Sequence, residues 1–277
     1  YFAAAINGTL PSTLTRAEVV NYTEETIVLT ADIDLGGNEW TPIGVDLNHA
    51  FAGSFDGQNH QVANFVISGN ATSQAALFGT IRGSGSFKNV VVDNATVLCP
   101  VTSGETNYYG AGFAAQLYGT HTLENITVQN SKIQGSGKTG GLIGFNGDCA
   151  QVVKNCHVAN CVVESTNPED GGNIGGLVGF WQCVAGGSSA REFLFENCSV
   201  KETTINAFNS QNAGKRANAE FLGGFKSDTG WTLNIDHCTV AENTFNETIN
   251  GKDAVTYESH YDGVFVGGDR TGDCLAT

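Results

Sequence analysis

Residues 124–133 read ENITVQNSKI, and the phrase returns as KNVVVDNATV (88–97), KNCHVANCVV (154–163), ENCSVKETTI (196–205) and DHCTVAENTF (236–245). Apolar residues alternate in every copy. Val90, Ile126, Cys156, Cys198 and Cys238 form one column; Val92, Val128, Val158, Val200 and Val240 form another, two positions on. Period two is the pattern of a strand with one buried face. Five residues further, Val97, Ile133, Val163, Ile205 and Phe245 make a third inward column, past a polar bend carrying Asn94, Asn130 and Asn160. Asparagine tolerates the left-handed backbone that such corners need. A weaker copy, ANFVISGNAT (63–72), aligns with Asn64 in the place of Asn89, Phe65 in the Val90 column and Ile67 in the Val92 column.

A second phrase recurs between these copies: AALFG (75–79), AGFAA (111–115), GGLIG (140–144), GGLVG (175–179), GGFKS (223–227) and GVFVG (263–267). It sets Leu77, Phe113, Leu142, Leu177, Phe225 and Phe265 in a fourth column, with glycines that are expected to let the backbone corner tightly. Successive copies lie 25 to 42 residues apart. A strand-only unit of that size cannot bury its apolar side alone. It is satisfied when the chain winds as a solenoid and each strand pairs in parallel with its counterpart one turn away. The expected fold is therefore an all-β, single-stranded parallel β-helix of about six or seven coils, roughly 30 Å tall at ~4.8 Å per coil. A propeller repeats at a similar length but requires four strands per blade, and two or three are visible here.

A solenoid must cover its raw ends. Residues 1–25 are expected to form the N-terminal cap, with TRAEVVNYTEE (15–25) as a short helix opened by a capping box, and TIVLTADIDL (26–35) as the first full strand of a β-helix spanning 26–277.

The chain has 277 residues, 36 glycines, 4 prolines and a formal charge of −15, a field that repels nucleic acid and anionic membranes. It contains no apolar run of bilayer length, which argues against membrane insertion. It starts at Tyr1 without a signal-like segment, so an export signal is expected to have been removed. The 8 cysteines include no CxxC pair and no zinc-like Cys/His cluster.

The stretch ADIDLGGNEWTPIG (31–44) followed by FAGSFDGQNHQVANFVISG (51–69), together with GGLIG and GGLVG, resembles the GLUG-repeat proteins of bacterial cell surfaces. The resemblance covers residues 26–267 and implies a right-handed parallel β-helix in an exported protein, cell-surface or outer-membrane anchored. Such repeats also accompany immunoglobulin-A-cleaving metallopeptidases. None of the 6 histidines sits in the H-E-x-x-H motif of those enzymes, so proteolysis is not expected.

Cys156, Cys198 and Cys238 read as buried small fillers, while disulfides stay open for Cys99, Cys149, Cys183 and Cys274. Asp32, Asp34, Asp46 and Asp56 lack an EF-hand spacing and read as turn chemistry rather than calcium ligands; Asp32 and Asp34 share one strand face, the outer one if Ile33 and Leu35 point in. The loop acids Glu169, Asp170, Asp228, Asp253, Asp262, Asp269 and Asp273 share no column that would concentrate them. Trp181 lies four after Leu177, where other turns have Ile81 and Leu117, and is expected in the core or at its edge; Trp40 is expected under the cap. The sequons at Asn70, Asn94, Asn125 and Asn197 carry little weight in a bacterial protein.

The insertions at 98–109, 164–173, 206–221 and 246–262 follow the third column and precede the glycine phrase, so stacking gathers them on one side of the rod. They offer Tyr108, Tyr109, Phe208, Asn209, Asn212, Lys215, Arg216, Tyr257, His260 and Tyr261, aromatics and amides suited to sugar or protein contacts. The expectation is a monomeric, non-catalytic surface module without cofactor, metal or catalytic residues, contacting a host or microbial glycan or glycoprotein. A polysaccharide lyase or hydrolase on the same scaffold, and a passive stalk, are the alternatives.

Overall fold

The computed structural model describes residues 2–9, 22–68, 73–99, 108–147, 151–165, 173–183, 191–209, 217–227, 231–249, 252–253, 261–263 and 266. Within them the chain is all-β apart from one short helix and winds as a parallel solenoid, its strands pairing with counterparts in neighbouring coils; the antiparallel pairing of Lys252–Asp253 with Thr244–Ile249 is the exception. One coil shows the plan. Thr120–Gln129 lies in a front sheet and Lys132–Gly135 in a side sheet. Lys138–Gly140 then runs inward and Ile143–Gly147 runs out again, before Gln151–Lys154 resumes the front sheet.

The front sheet stacks Val62, Val92, Val128, Val158, Val200 and Val240 in register, and the side sheet stacks Ile67, Val97, Ile133, Val163, Ile205 and Phe245. Their interiors merge in one apolar core that also holds Phe113, Leu142, Leu177 and Phe221 at the tips of the arms. Like residues thus lie on like at the ~4.8 Å strand spacing, so a coil adds its share of core without creating a new kind of contact.

Each coil turns two left-handed corners on the front sheet. Asn89, Asn125, Asn155, Asn197 and His237 occupy the first, and Asn94, Asn130, Asn160, Glu202 and Glu242 the second, with φ between 49° and 58°. Where the residue after a corner is Cys, Ser or Thr, it closes the corner from inside. Cys156, Cys161 and Cys198 donate their thiols to carbonyls two residues back at 3.2–3.4 Å, as the hydroxyls of Ser131 and Thr203 do at 2.7 and 2.9 Å. The buried cysteines are therefore corner donors as well as fillers, and Cys161 belongs with them.

The arms explain the glycine phrases. Inward and outward arms meet backbone to backbone along Ala111, Gly140, Gly175 and Ala219 on one side, and Ala115, Gly144, Gly179 and Gly223 on the other. A Cβ on Gly179 would fall 2.6 Å from the backbone nitrogen and oxygen of Thr139 on the facing arm; one on Gly223 would lie 2.2 Å from the Ile174 carbonyl oxygen. None of Gly140, Gly144, Gly175 and Gly179 has a positive φ. These residues are glycine because a side chain at their levels would meet the facing backbone, and not because they corner; Ala111, Ala115 and Ala219 show that a methyl is accommodated at other levels of the two columns.

The register departs from the sequence alignment in two places. Val62 stands under Val92, Ile67 under Val97, and the Asn94 amide reaches Asn64, so the first copy slides by five residues against the reading that put Asn64 with Asn89. Leu177 is bonded to Phe221, while Phe225 pairs with Trp181. Phe221, not Phe225, continues the fourth column.

Residues 26–35 form two short strands, Thr26–Val28 and Ile33–Asp34, rather than one. Ile33 is 37% exposed instead of inward, because it only lays a two-residue edge outside Val62. Of the helix expected over 15–25, residues 15–21 lie outside the described residues, and 22–25 make a turn closed by Glu25 N–H to the Tyr22 carbonyl at 3.0 Å. The helix present is Phe2–Ile6, with Phe2 against Tyr22 and Phe51, and with Asn7 bonded to the Pro42 carbonyl and the Gly44 amide. Trp40 packs on Phe65 and donates to the Leu77 carbonyl at 3.1 Å. Trp181 is buried between Phe193 and Phe195, as its column predicts.

Replacing Gly179 by alanine should lower stability by about 3 kcal/mol or more, since overpacking between two backbones cannot relax through a rotamer. Gly37→Ala, where nothing lies within 4 Å of the new methyl and φ is +80°, should cost only about 1 kcal/mol. Urea unfolding of both variants checks this; equal losses would remove the arm-contact explanation.

Candidate binding surface

The insertions share their anchors. The side-sheet strands Thr96–Leu98, Val162–Ser165, Thr204–Asn209 and Thr244–Ile249 stack in one sheet, and the strands that receive the chain, Tyr109–Ala111, Asn173–Gly175, Ala217–Ala219 and Tyr261–Gly263, stack in the next. All four insertions therefore leave and re-enter at one corner of the solenoid. Asn212, Lys215, Arg216, Tyr257 and His260 lie outside the described residues. Phe208 and Asn209 pair through their backbones with Thr248 and Ile249, and Tyr261 pairs with Ala217.

Tyr108 is half-buried against the main core. Tyr109, expected on the ligand face, is only 5% exposed. Its ring stacks on Phe145 at 5.2 Å, and Phe145 stacks on Phe180 at 6.2 Å. The Lys138 ammonium lies 5.1 to 5.8 Å above all three rings. This second apolar cluster fills the mouth between the arms, so the Tyr109 ring serves packing and a cation–π contact rather than a ligand. Alternation gave no warning, because the mouth residues face away from the main core yet are still covered.

The front face carries side chains in axial rows. Asp56, Lys88, Glu124, Lys154, Glu196 and Asp236 stand in one register column. Lys88 meets Asp56 at 3.6 Å and Lys154 meets Glu196 at 2.6 Å. Beside them, Asn89 donates to Asp56 at 3.0 Å, Asn125 to Asn89 at 3.0 Å and Asn197 to Asn155 at 2.6 Å. At the next corner Asn64 donates to Asp34, Asn130 to Asp93 and Asn160 to Asn130, each at 2.7 Å. This amide ladder was not foreseen, although the recurring Asn at both corners was its signal.

The candidate calcium ligands are engaged internally. Asp32 accepts from the Gln61 amide at 3.1 Å and meets His60 at 2.9 Å; Asp34 accepts from Asn64 and the Gly36 amide; Asp46 accepts from Asn48 and His49; Asp56 accepts from the Gln58 amide. These bonds hold all four carboxyls below the usual range. Among the described residues no group of three or more His, Cys, Asp or Glu side chains is arranged to hold a metal ion. Glu169, Asp170, Asp228, Asp269 and Asp273 lie outside the described residues, and Asp262 pairs with Asn218 through the backbone.

Among the cysteines proposed for disulfides, Cys99 is buried, with its sulfur 3.9 Å from the Ser73 carbonyl, while Cys149 and Cys274 lie outside the described residues. Burial pushes Cys99 up to about 12 and Cys161 up to about 11. The neighbouring Cys156 thiol, followed by burial, pushes Cys198 to about 12. Such thiols are protonated at neutral pH and poor nucleophiles.

A buried polar unit joins arm to front sheet. The His121 amide donates to Gln151, His121 Nε2 bonds the Tyr118 carbonyl at 3.0 Å, and the Gln151 amide nitrogen donates to the Gly119 carbonyl and to Asn146. Burial holds His121 below the ordinary imidazole range.

These shifts act in one direction. His121 takes up a proton more readily unfolded than folded, so its contribution is complete above its unfolded pKa of about 6.5 and declines as pH falls below it. The four aspartates do the same below about 4. Thermal unfolding should show two successive losses on acidification, and His121→Gln should shrink the upper one, leaving the part due to His157, which burial and then Lys201 also hold below the ordinary imidazole range. An unchanged upper limb in that variant would refute the assignment. In native protein at pH 8, Cys99, Cys156, Cys161 and Cys198 should resist iodoacetamide over hours and react within minutes in denaturant, read by peptide mass spectrometry.

No family model matches the chain. It is 33% identical over 127 residues to halomucin of Haloquadratum walsbyi, a match covering 42% of this chain and 1% of that protein. It is 26% identical over 157 residues to a "putative Gly-rich membrane protein" of Evansella cellulosilytica, covering 43% of this chain and 17% of that one. The chain thus spans a small part of these relatives. Among solved structures it is similar to a "putative immunoglobulin A1 protease" from Bacteroides ovatus, with a TM-score of 0.57 and 18% identity over 90% of this chain and 78% of that one, a likeness of fold alone.

Proposed function

We propose that the chain is a non-catalytic binding module of an exported, surface-displayed protein, a right-handed β-helix of the GLUG-repeat kind. It contacts glycan or glycoprotein through the insertions at the corner between side sheet and inward arm. The observation that carries the reading is the shared anchorage: four insertions depart from strands of one sheet and return to strands of the next, the first separated from the other three by the coil of Lys132–Gly135 and Lys138–Gly140. Loops presented in a row on a rigid scaffold form an extended recognition surface without cost to the core.

Two further points support it. The relatives are named as a halomucin and a membrane protein, which fits a surface setting, and no helix among the described residues is long and apolar enough to cross a bilayer. The front-face carboxylates Asp56 and Glu196 are engaged with Lys88 and Lys154, an arrangement that stabilises a surface and leaves neither poised as a general acid. The net charge of −15 disfavours nucleic acid as a partner.

A glycan array with reducing-end release measured in parallel tests the reading. Binding without release is expected, and replacing residues 210–216 by Gly-Ser-Gly should weaken it by about tenfold while leaving the thermal midpoint within a few degrees, as for loss of an interface anchor. Sugar release would instead identify a hydrolase or lyase; neither binding nor release would leave a stalk.

A further inference from the structure

The first asparagine corner of the front sheet opens into a shallow axial groove of about 250 Å³, lined by Asn59, Asn89, Asn125, Asn155, Thr127 and His157 over a floor of valine. Four of these residues are amides on successive coils, so the groove runs along the solenoid axis and presents an amide about every 4.8 Å. No charged side chain lines it.

The amide ladder is interrupted inside this groove. Asn125 is tied to Asn89 and Asn197 to Asn155, but among the described residues no side-chain hydrogen bond links Asn155 to Asn125. The corresponding step at the second corner, Asn160 to Asn130, is made at 2.7 Å. An amide nitrogen and an amide oxygen therefore face the groove on adjacent coils. Thr127 and His157, stacked in register beside them, add a hydroxyl and a half-buried imidazole. His157 Nδ1 meets the Ser199 hydroxyl at 2.9 Å, which leaves Nε2 to the groove in either tautomer.

A hydroxyl group is donor and acceptor at once and can bridge an amide nitrogen and an amide oxygen. A polymer with hydroxyls on every unit, advancing by about one coil per unit, would meet this array repeatedly. Polyanions are repelled by the net charge of −15. Extended peptides favour an open strand edge, and here the strands on either side of the groove are paired along both edges. We infer that this groove seats an extended, uncharged β-linked glycan laid along the coil axis, its hydroxyls bridging Asn125 and Asn155. The inference rests on the glycan-binding reading but places the polymer on the ladder rather than on the loops.

Calorimetry with neutral β-1,4-linked hexasaccharides of glucose, mannose, xylose and N-acetylglucosamine, and with an uncharged Ser/Thr-rich peptide, tests it. Asn125→Gly and Asn155→Gly retain the left-handed corner while removing the amide, so both should fold. Each should weaken binding of a hexasaccharide about tenfold, and Thr127→Val severalfold, with little dependence on salt. Asn130→Gly, the same change at the other corner, should leave affinity within twofold. If wild type binds and the Asn125 and Asn155 variants bind equally well, the groove is wrong and the loop reading stands. Equal weakening by Asn130→Gly, or binding of the peptide alone, also overturns the groove. If wild type binds none of the hexasaccharides here and nothing on the glycan array, both readings fall.

Discussion

Two backbones in direct contact set the shape of this protein. The inward and outward arms close on each other through Gly140, Gly144, Gly175 and Gly179, where a methyl group would reach within 2.0 to 3.1 Å of a facing backbone atom. This contact drives the arm tips into the core, so that Leu142 and Leu177, in the bends between the two arms, are fully buried. It also creates the mouth that Tyr109, Phe145 and Phe180 must fill and Lys138 covers. A second apolar cluster thus follows from the first constraint, and the core as a whole is held by stacked columns rather than by one dominant contact.

The other fixed element is the pair of left-handed corners. Asparagine supplies a backbone that tolerates positive φ and an amide that bonds its counterpart one coil away, so a single residue type serves conformation and cohesion together. The following Cys, Ser or Thr completes the turn from the buried side. Where a coil uses Glu202 and Glu242 at the second corner, the ladder at that level is given up while the geometry persists. Conformation is therefore the stricter requirement of the two.

Much of the fold was legible because solenoid columns repeat residue types at fixed offsets. Val128 over Val92 and Ile133 over Val97 follow from period two alone. The first copy was misplaced because the coils nearest it contain two Asn-led corners five residues apart, Asn89 and Asn94, then Asn125 and Asn130, so a slide of five residues preserves the pattern. Phe225 misled for a related reason: Gly223 continues the Gly179 column, whereas a glycine pair before an aromatic resembles the start of the phrase. Which residue a glycine must make room for belongs to another strand, and no reading of its own neighbours could supply it. For the candidate site, the common corner of the insertions was legible, but the covered state of Tyr109 depends on arms folding against each other.

The same register that builds the core decides what the front face can recognise. Its interior strands have both backbone edges paired, so binding there must use side chains, and side chains arrive in axial rows at a fixed spacing. Alternation of Asp56, Lys88, Glu124, Lys154 and Glu196 balances most charge within one row and leaves the neighbouring rows of amides and hydroxyls uncharged. The insertions obey a different rule, since the strands before and after them are pinned by their own columns and loop length between them is unconstrained by register. On the proposed reading, rows would suit a periodic polymer and loops the features that distinguish one polymer from another, so that affinity and selectivity would be separated in space.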